Sequence, residues 1–294
     1  MRVAQFRILN QILEQFAIPE YIYAFEKGRS IPVMAERHVG KALVISLDIK
    51  DYFPSIKQRM LEQIFDGVGM AKEPSRTLSE LCTVGAQVPQ GALTSPKISN
   101  IVTSLTFGPD VKAYCDQKGL ELTIYADDIT MSSSTVLSNE VITEIIETVT
   151  RFVSEYGFRI NRRKTKIMRK AQRQWVCGAV VNQKVNLLKR ERQRLRAIVH
   201  NCEKNGISAE ASKNNLSESE FISQIMGKLN WFAQLNQEQG TPMKNTFHEL
   251  AKGLIASVAK ETETGDQALA SVVEDPDSPS VTPAQGSESV PWTH

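Results

Sequence analysis

Apolar residues along the chain fall into two rhythms. Near the start, Val3, Phe6, Leu9, Ile12, Leu13 and Phe16 recur at helical spacing, which predicts an amphipathic helix over about residues 1–17 that ends before Pro19. In KALVISLDIK the run Leu43, Val44, Ile45 and Leu47 is short and continuous, the mark of a buried strand, and it ends at Asp48. Pro54 suits the first position of a following helix. Another helix is expected in TSPKISNIVTSL, with Ser95 as N-cap, Pro96 at its first position and Ile98, Ile101, Val102 and Leu105 as its buried stripe; Gly108-Pro109 should bend or stop it. LTIYADDITMS reads as two strands around Asp127-Asp128. On that stretch alone, the acidic pair suits a solvated turn as well as it suits a site.

Helical spacing returns in Val141, Ile142, Ile145, Ile146, Val149, Phe152 and Val153, closed by Gly157. FRINRRKTKIM then reads as a strand dense in cations, and QWVCGAVVNQKVNLL as a short hairpin around Asn182-Gln183. Two helices are expected at about 188–204 and 217–237, the second announced by the capping-box pair Ser217 and Glu220 and burying Phe221, Ile222, Ile225, Leu229 and Phe232. From about residue 261 the chain is rich in Ser, Pro and acid, with few apolar anchors, and is expected to be disordered.

Charge changes this picture more than overall composition does. The net charge is +2, but residues 261–294 hold seven carboxylates and no Lys or Arg, so the preceding 260 residues carry +9. A basic folded part favours a polyanionic partner. The four cysteines, Cys82, Cys115, Cys177 and Cys202, are scattered, which argues against structural zinc and a disulfide framework. No apolar run reaches the roughly 18 residues of a membrane span, and no signal-peptide core is evident at the start, so the expectation is a cytoplasmic protein without a membrane partner.

Asp48 at a strand's end and Asp127-Asp128 at a hairpin can converge at one point of a sheet. Carboxylates about 4 Å apart repel by roughly 4 kcal/mol per pair at an effective dielectric of 20, so such a cluster calls for a divalent cation. Hard oxygen donors without His or Cys favour Mg²⁺, and paired metals on shared carboxylates suit phosphoryl transfer.

Taken together, SLDIKDYFPSI, VPQGALTSPKISNIV, IYADDIT, RINRRKTKIM and VCGAVVN resemble, in order and separation, the successive motifs of the reverse transcriptase palm. FEKGRSIPVMAERHVGK is similar to the segment that precedes the first catalytic Asp in bacterial retron reverse transcriptases, so the resemblance covers about residues 20–185. It implies an α+β right-hand palm, an antiparallel sheet on helices, with reduced fingers and an all-helical thumb. The division expected is 1–42 for an N-terminal helix and reduced fingers, 43–185 for the palm with inserted fingers helices at about 57–92, 186–260 for the thumb, and 261–294 for the tail.

Residue roles follow from the matching motifs. Asp48 and Asp127 would be metal ligands, with Asp128 supporting and the Ile49 backbone helping to hold the nucleotide-bound metal. The ions would be two Mg²⁺, with Mn²⁺ able to substitute. Phe53 matches the aromatic gate whose ring clashes with a ribose 2′-OH, the alternative being a core Phe. Gln90 would line the incoming nucleotide, Gly91 would allow close backbone approach, and Asp51 and Tyr52 would lie with their backbone near the triphosphate. Lys164 would sit near the phosphates and protonate the leaving pyrophosphate, or else be a solvated cation. Cys177 and Gly178 match the primer grip, with Cys177 where retron enzymes usually have Thr. Lys184, Lys189, Arg190, Arg192, Arg194 and Arg196, with Trp231, would track a duplex backbone.

The resemblance further implies dNTPs as substrates, a structured noncoding RNA as template and primer, an RNA–DNA hybrid product, a 2′-OH start and a role in defence against phage. An effector or toxin protein is a further partner to look for. Two departures stand out: Met34 replaces the Asn usual in the retron segment, although Ala35 and His38 remain, and no cation-bearing strand pair precedes Phe25. Arg2, Arg7 and Lys27 would substitute for that pair, unless the start codon lies upstream. The rival expectations are a reverse transcriptase of another bacterial defence or intron-derived class, and a catalytically weak RNA-binding scaffold. The acidic tail reads as an extension or as an autoinhibitory mimic of nucleic acid.

Overall fold

The computed structural model describes residues 2–252, and the acidic tail expected at 261–294 lies outside them. The N-terminal helix α1 spans Arg2–Gln11 and gives way to a single 3-10 turn, Leu13–Gln15, so the helix expected to run to about residue 17 is shorter. The short α2, Ile31–Glu36, leads to the first strand β1, Leu43–Asp48. Three helices follow: α3, Tyr52–Ser55; α4, Gln58–Gly67; and α5, Lys72–Leu81. Pro54 is the third residue of α3, not the first of the next helix, because Asp51 turns through a left-handed conformation and starts the turn early.

The helical region expected after TSP is two helices, α6 over Ser95–Leu105 and α7 over Phe107–Gln117. The break falls at Thr106, and Thr94 rather than Ser95 takes the cap position. Gly108 lies in the first turn of α7 for a steric reason, since a Cβ there would stand 2.4 Å from the Thr103 carbonyl oxygen. Strands β2, Glu121–Tyr125, and β3, Asp128–Ser133, form the expected hairpin, and α8, Asn139–Glu155, follows with Ser138 as its cap.

The cation-rich segment supplies only a short strand, β4 over Lys166–Arg169, while Ile160 makes an isolated bridge to Ile49. A two-stranded ribbon joins β5, Trp175–Val176, to β6, Ala179–Val180. Its turn is Cys177-Gly178, with φ of 45° and 85°, and not Asn182-Gln183. The second pair lies instead in the loop closed by the Val180–Asn186 bridge. The C-terminal part is helical as expected: α9, Lys189–Asn205; α11, Glu218–Leu235; and a further run, α12, over 237–252. Between α9 and α11 sits α10, Ile207–Lys213, which was not foreseen. Ser217 and Glu220 form both bonds of the capping box.

The main sheet has the order β2-β3-β1-β4, antiparallel throughout. Strand β1 is central and buried almost along its length, which explains its continuous apolar run. One core joins β1–β3 to α1, α4 and α6–α8; a second is built from α9–α12, with Leu187 and Leu216 packed against it. A third cluster links the ribbon to the helical part through Val176, Val181, Val185, Leu235 and Trp231.

Candidate active site

Register decides what meets at the sheet's edge. Asp48, the last residue of β1, is paired directly with Asp128, the first of β3, and Tyr125 at the end of β2 is also opposite Asp128. Only Ala126 and Asp127 therefore remain to turn the hairpin. Ala126 takes φ of 53°, a left-handed conformation that costs a non-glycine residue about 1 kcal/mol or more. The turn is locked from β1's side by the Ile49 amide, which donates to the Asp127 carbonyl at 2.8 Å. Asn161 donates to the Asp48 carbonyl at 2.7 Å, fixing the opposite flank.

Three carboxylates are thus gathered at one edge, and their electrostatics show strain. Burial raises the pKa of Asp127, and the charge of Asp48 raises it further against the opposing influence of Lys164. Asp128 is raised by burial and then by both Asp127 and Asp48. Lys164 donates to Asp48 Oδ2 at 2.8 Å, and this pairing raises the lysine's own pKa. The Cys177 thiol, held close by the ribbon turn, donates to Asp128 Oδ2 at 3.7 Å. Burial pushes that thiol's pKa up, so it stays protonated and acts as a donor.

A divalent cation suits this chemistry. The donor set is hard oxygen, with a protonated thiol at its margin, which favours an oxygen-preferring ion over zinc. Among the described residues, no three Asp, Glu, His or Cys side chains converge closely enough to hold an ion as they stand. Lys164 forms an ion pair with Asp48.

The same edge carries the expected nucleotide-facing residues. Asp51 has φ of 48° and opens α3. Tyr52 turns inward, donating to the Ser99 carbonyl at 2.8 Å and meeting Thr103 Oγ1 at 2.5 Å. The neighbouring Phe53 is partly buried, packed at the margin of the main core with its ring 5.6 Å from that of Tyr52. Val88 donates to the Ile56 carbonyl at 3.0 Å, which ties the exposed Gln90-Gly91 turn to the end of α3; Gly91 supplies its φ of 88°.

A family profile described as reverse transcriptase (RNA-dependent DNA polymerase) matches residues 1–188. The chain belongs to the reverse transcriptase family. The retron Mx65 reverse transcriptase of Myxococcus xanthus is 30% identical over 257 residues, covering 81% of this chain and 57% of that protein. The retron Se72 reverse transcriptase of Salmonella heidelberg is 30% identical over 253 residues, covering 84% and 65%. The chain therefore spans about three fifths of the length of these relatives. A solved telomerase from Candida albicans, bound to a fragment of telomeric RNA, is 9% identical with a TM-score of 0.46, covering 85% of this chain and 55% of that one. So loose a likeness adds nothing to the family match.

The four-stranded sheet on its helices is thus a reverse transcriptase palm, and the candidate site is the edge where β1 and the β2–β3 hairpin end. Structure around the palm sorts the remaining candidates. Lys184, Lys189, Arg190, Arg194 and Arg196 are exposed. Lys184, Lys189 and Arg190, with Arg173 and Arg192, line a cleft of about 610 Å³ between the ribbon and the start of α9. Arg192 is drawn inward and donates to Gln239 Oε1 at 3.0 Å, so it serves the contact between α9 and α12. Trp231 is partly buried and packs at the apolar junction between ribbon and helical part.

Two residues of this chain have structural places that its motifs do not reveal. His38, kept only as part of a resemblance, is fully buried and bonds to Ser132 Oγ at 2.7 Å and Thr123 Oγ1 at 2.8 Å. It therefore pins β2 to β3 beneath the site. Met34, the departure from the retron pattern, is a buried core residue. In place of a cation-bearing strand pair before Phe25 stand α1 and the 3-10 turn, with Arg7 exposed at a shallow cavity that Leu78 and Leu81 of α5 also line.

Proposed function

We propose that this chain is an RNA-directed DNA polymerase of retron type that makes DNA from dNTPs on a structured noncoding RNA. The carrying observation is the register that sets Asp48 opposite Asp128 with Asp127 in the intervening turn. Clustered anions at the mouth of a basic chain would repel RNA in a protein that only bound it; they suit a protein that loads cations there. Asp48 and Asp127 hold the ions, with Asp128 and the Ile49 backbone in support. Mg²⁺ fits the donors best and Mn²⁺ would substitute; bound there, such ions lower the pKa of an attacking hydroxyl and neutralise the departing pyrophosphate.

The chain's own groups do the positioning. Phe53 excludes a ribose 2′-OH, Gln90 and Gly91 border the nucleotide, and the backbone of Asp51 and Tyr52 faces its triphosphate. The Cys177-Gly178 turn presents the primer's end, its hydroxyl attacks the α-phosphate, and Lys164 gives a proton to the leaving pyrophosphate. Basic side chains on α9 follow the hybrid's backbone. The setting is cytoplasmic, with priming from a 2′-OH and a role in phage defence, in which an effector protein is a further partner. Among the described residues, no helix is long and apolar enough to cross a membrane.

A catalytically weak RNA-binding scaffold is the second reading, favoured by the hold of Lys164 on Asp48 and by the helical start where cation-bearing fingertip strands were sought. Primer extension on an RNA template with Mg²⁺ separates the two. The polymerase reading expects dNTP incorporation that vanishes in Asp127→Asn with Asp128→Asn. Failure of the wild type to incorporate, or full activity in the double variant, favours the scaffold.

A further inference from the structure

The chain leading to Phe25 is fastened from three sides. Residues 21–23 run along β2, the Ile124 amide donating to the Tyr21 carbonyl at 2.7 Å and the Tyr23 amide to the Ile124 carbonyl at 2.8 Å. The Arg29 guanidinium gathers the carbonyls of Ile18, Pro19 and Ile22. On the far side, Asn100 donates to the Ala24 carbonyl at 2.6 Å and to Glu26 at 2.9 Å. Lys97 completes the clamp through an ion pair with Glu26 at 3.1 Å, with side chains only 8% and 14% exposed. Burying such a pair costs much of what its attraction returns, so it is better understood as a device that fixes geometry.

What the clamp fixes is an exception to ordinary packing. Between buried Ala24 and tethered Glu26, Phe25 takes φ of 61°, a conformation that bulky residues avoid, and leaves its ring 50% exposed. The ring centroid lies 6.3 Å from Phe53 and 6.4 Å from Tyr125, the residue before the carboxylate turn. A strained, clamped and half-exposed aromatic beside the candidate sugar gate has no use in the core.

We propose that Phe25 is a positioning residue for sugar selection: its ring backs Phe53 and sets how far the gate projects under the incoming nucleotide's sugar. The inference rests on the polymerase reading. With Phe25 shortened, the Phe53 ring can withdraw into the vacated space and admit a 2′-OH. Because the effect passes through Phe53, it should disappear when Phe53 is itself shortened.

The test is primer extension with dNTPs and with rNTPs, giving kcat and KM for each, on wild type, Phe25→Ala, Phe25→Gly, Phe25→Tyr, Phe53→Ala and the Phe25→Ala Phe53→Ala double variant. Phe25→Gly relieves the left-handed backbone while removing the ring, so it separates loss of the ring from loss of folding. Both Ala and Gly variants are expected to lower the ribonucleotide KM and reduce dNTP selectivity roughly tenfold, with Tyr retaining it and the double variant no more relaxed than Phe53→Ala. Undiminished selectivity in Phe25→Gly, or additive loss in the double variant, overturns the inference while leaving the polymerase reading in place. Absence of incorporation by the wild type is a separate outcome that overturns both.

Discussion

The two ends of the β2–β3 hairpin follow opposite rules. At its inner end, His38 reaches across both strands and finds a hydroxyl for each ring nitrogen, so a buried polar group is fully satisfied. At its apex the same strands deliver Asp127 and Asp128, their pKa values raised, beside Asp48, with a strained Ala126 and a single ion pair, Lys164 to Asp48, among the described residues. One register produces both ends. Pairing Thr123 with Thr130 and Glu121 with Ser132 places the hydroxyls for His38, and the same ladder, continued, sets Asp128 against Asp48.

The largest expected effect breaks the apex. Asp127→Asn with Asp128→Asn should reduce RNA-templated incorporation by at least about 10³-fold, corresponding to roughly 4 kcal/mol of transition-state stabilisation. Next in size is the base: His38→Ala leaves Thr123 and Ser132 without their partner and opens a cavity, so chemical denaturation should show a loss of about 2–4 kcal/mol.

The base also predicts a pH dependence. Burial, reinforced by Lys41 and Arg37, holds the His38 pKa down to about 3 against 6.5 for a free histidine. The unfolded chain therefore binds the proton more readily than the folded one. Stability from this residue is complete above pH 6.5 and falls as pH drops from 6.5 toward 3, by an amount on the order of a few kcal/mol. The acid-induced decline in Tm should be shallower in His38→Ala, and equal declines would return His38 to a minor role.

Smaller effects sharpen the contrast. Lys164→Met should slow turnover by about ten- to a hundredfold if the lysine is a proton donor, and a pH–rate profile should lose its alkaline limb. Ala126→Gly should relieve the left-handed turn and raise stability by up to about 1 kcal/mol, measured by denaturant midpoint.

Much of the base and the apex differed in how legible they were. Asp48 and Asp127-Asp128 are legible because the motifs that carry them follow one another in order along the chain, although the acidic pair alone suits a turn equally well, and Ser217 and Glu220 form a cap within four residues. His38 could not be read that way: its partners lie 85 and 94 positions along the chain. Phe25 is similar, visible only once residues 21–23 are seen alongside β2. Strand patterning alone puts the ribbon turn at Asn182-Gln183, because a cysteine at φ 45° defies the Asn-Gly preference of such turns, whereas the primer-grip resemblance points to Cys177-Gly178. The boundary at Thr106 was set by how closely Gly108 meets the Thr103 carbonyl, a contact that spacing does not reveal.

The claim that the apex is held together at a cost to stability, for the sake of bound cations, meets its most direct test in thermal unfolding at pH 7 with and without Mg²⁺. Without the ion, Asp127→Asn with Asp128→Asn should melt above the wild type, because buried repulsion is removed. Adding Mg²⁺ should raise the wild-type Tm and leave the double variant unmoved. A wild type that melts at or above the variant without the ion, or equal shifts in both proteins, would contradict the account.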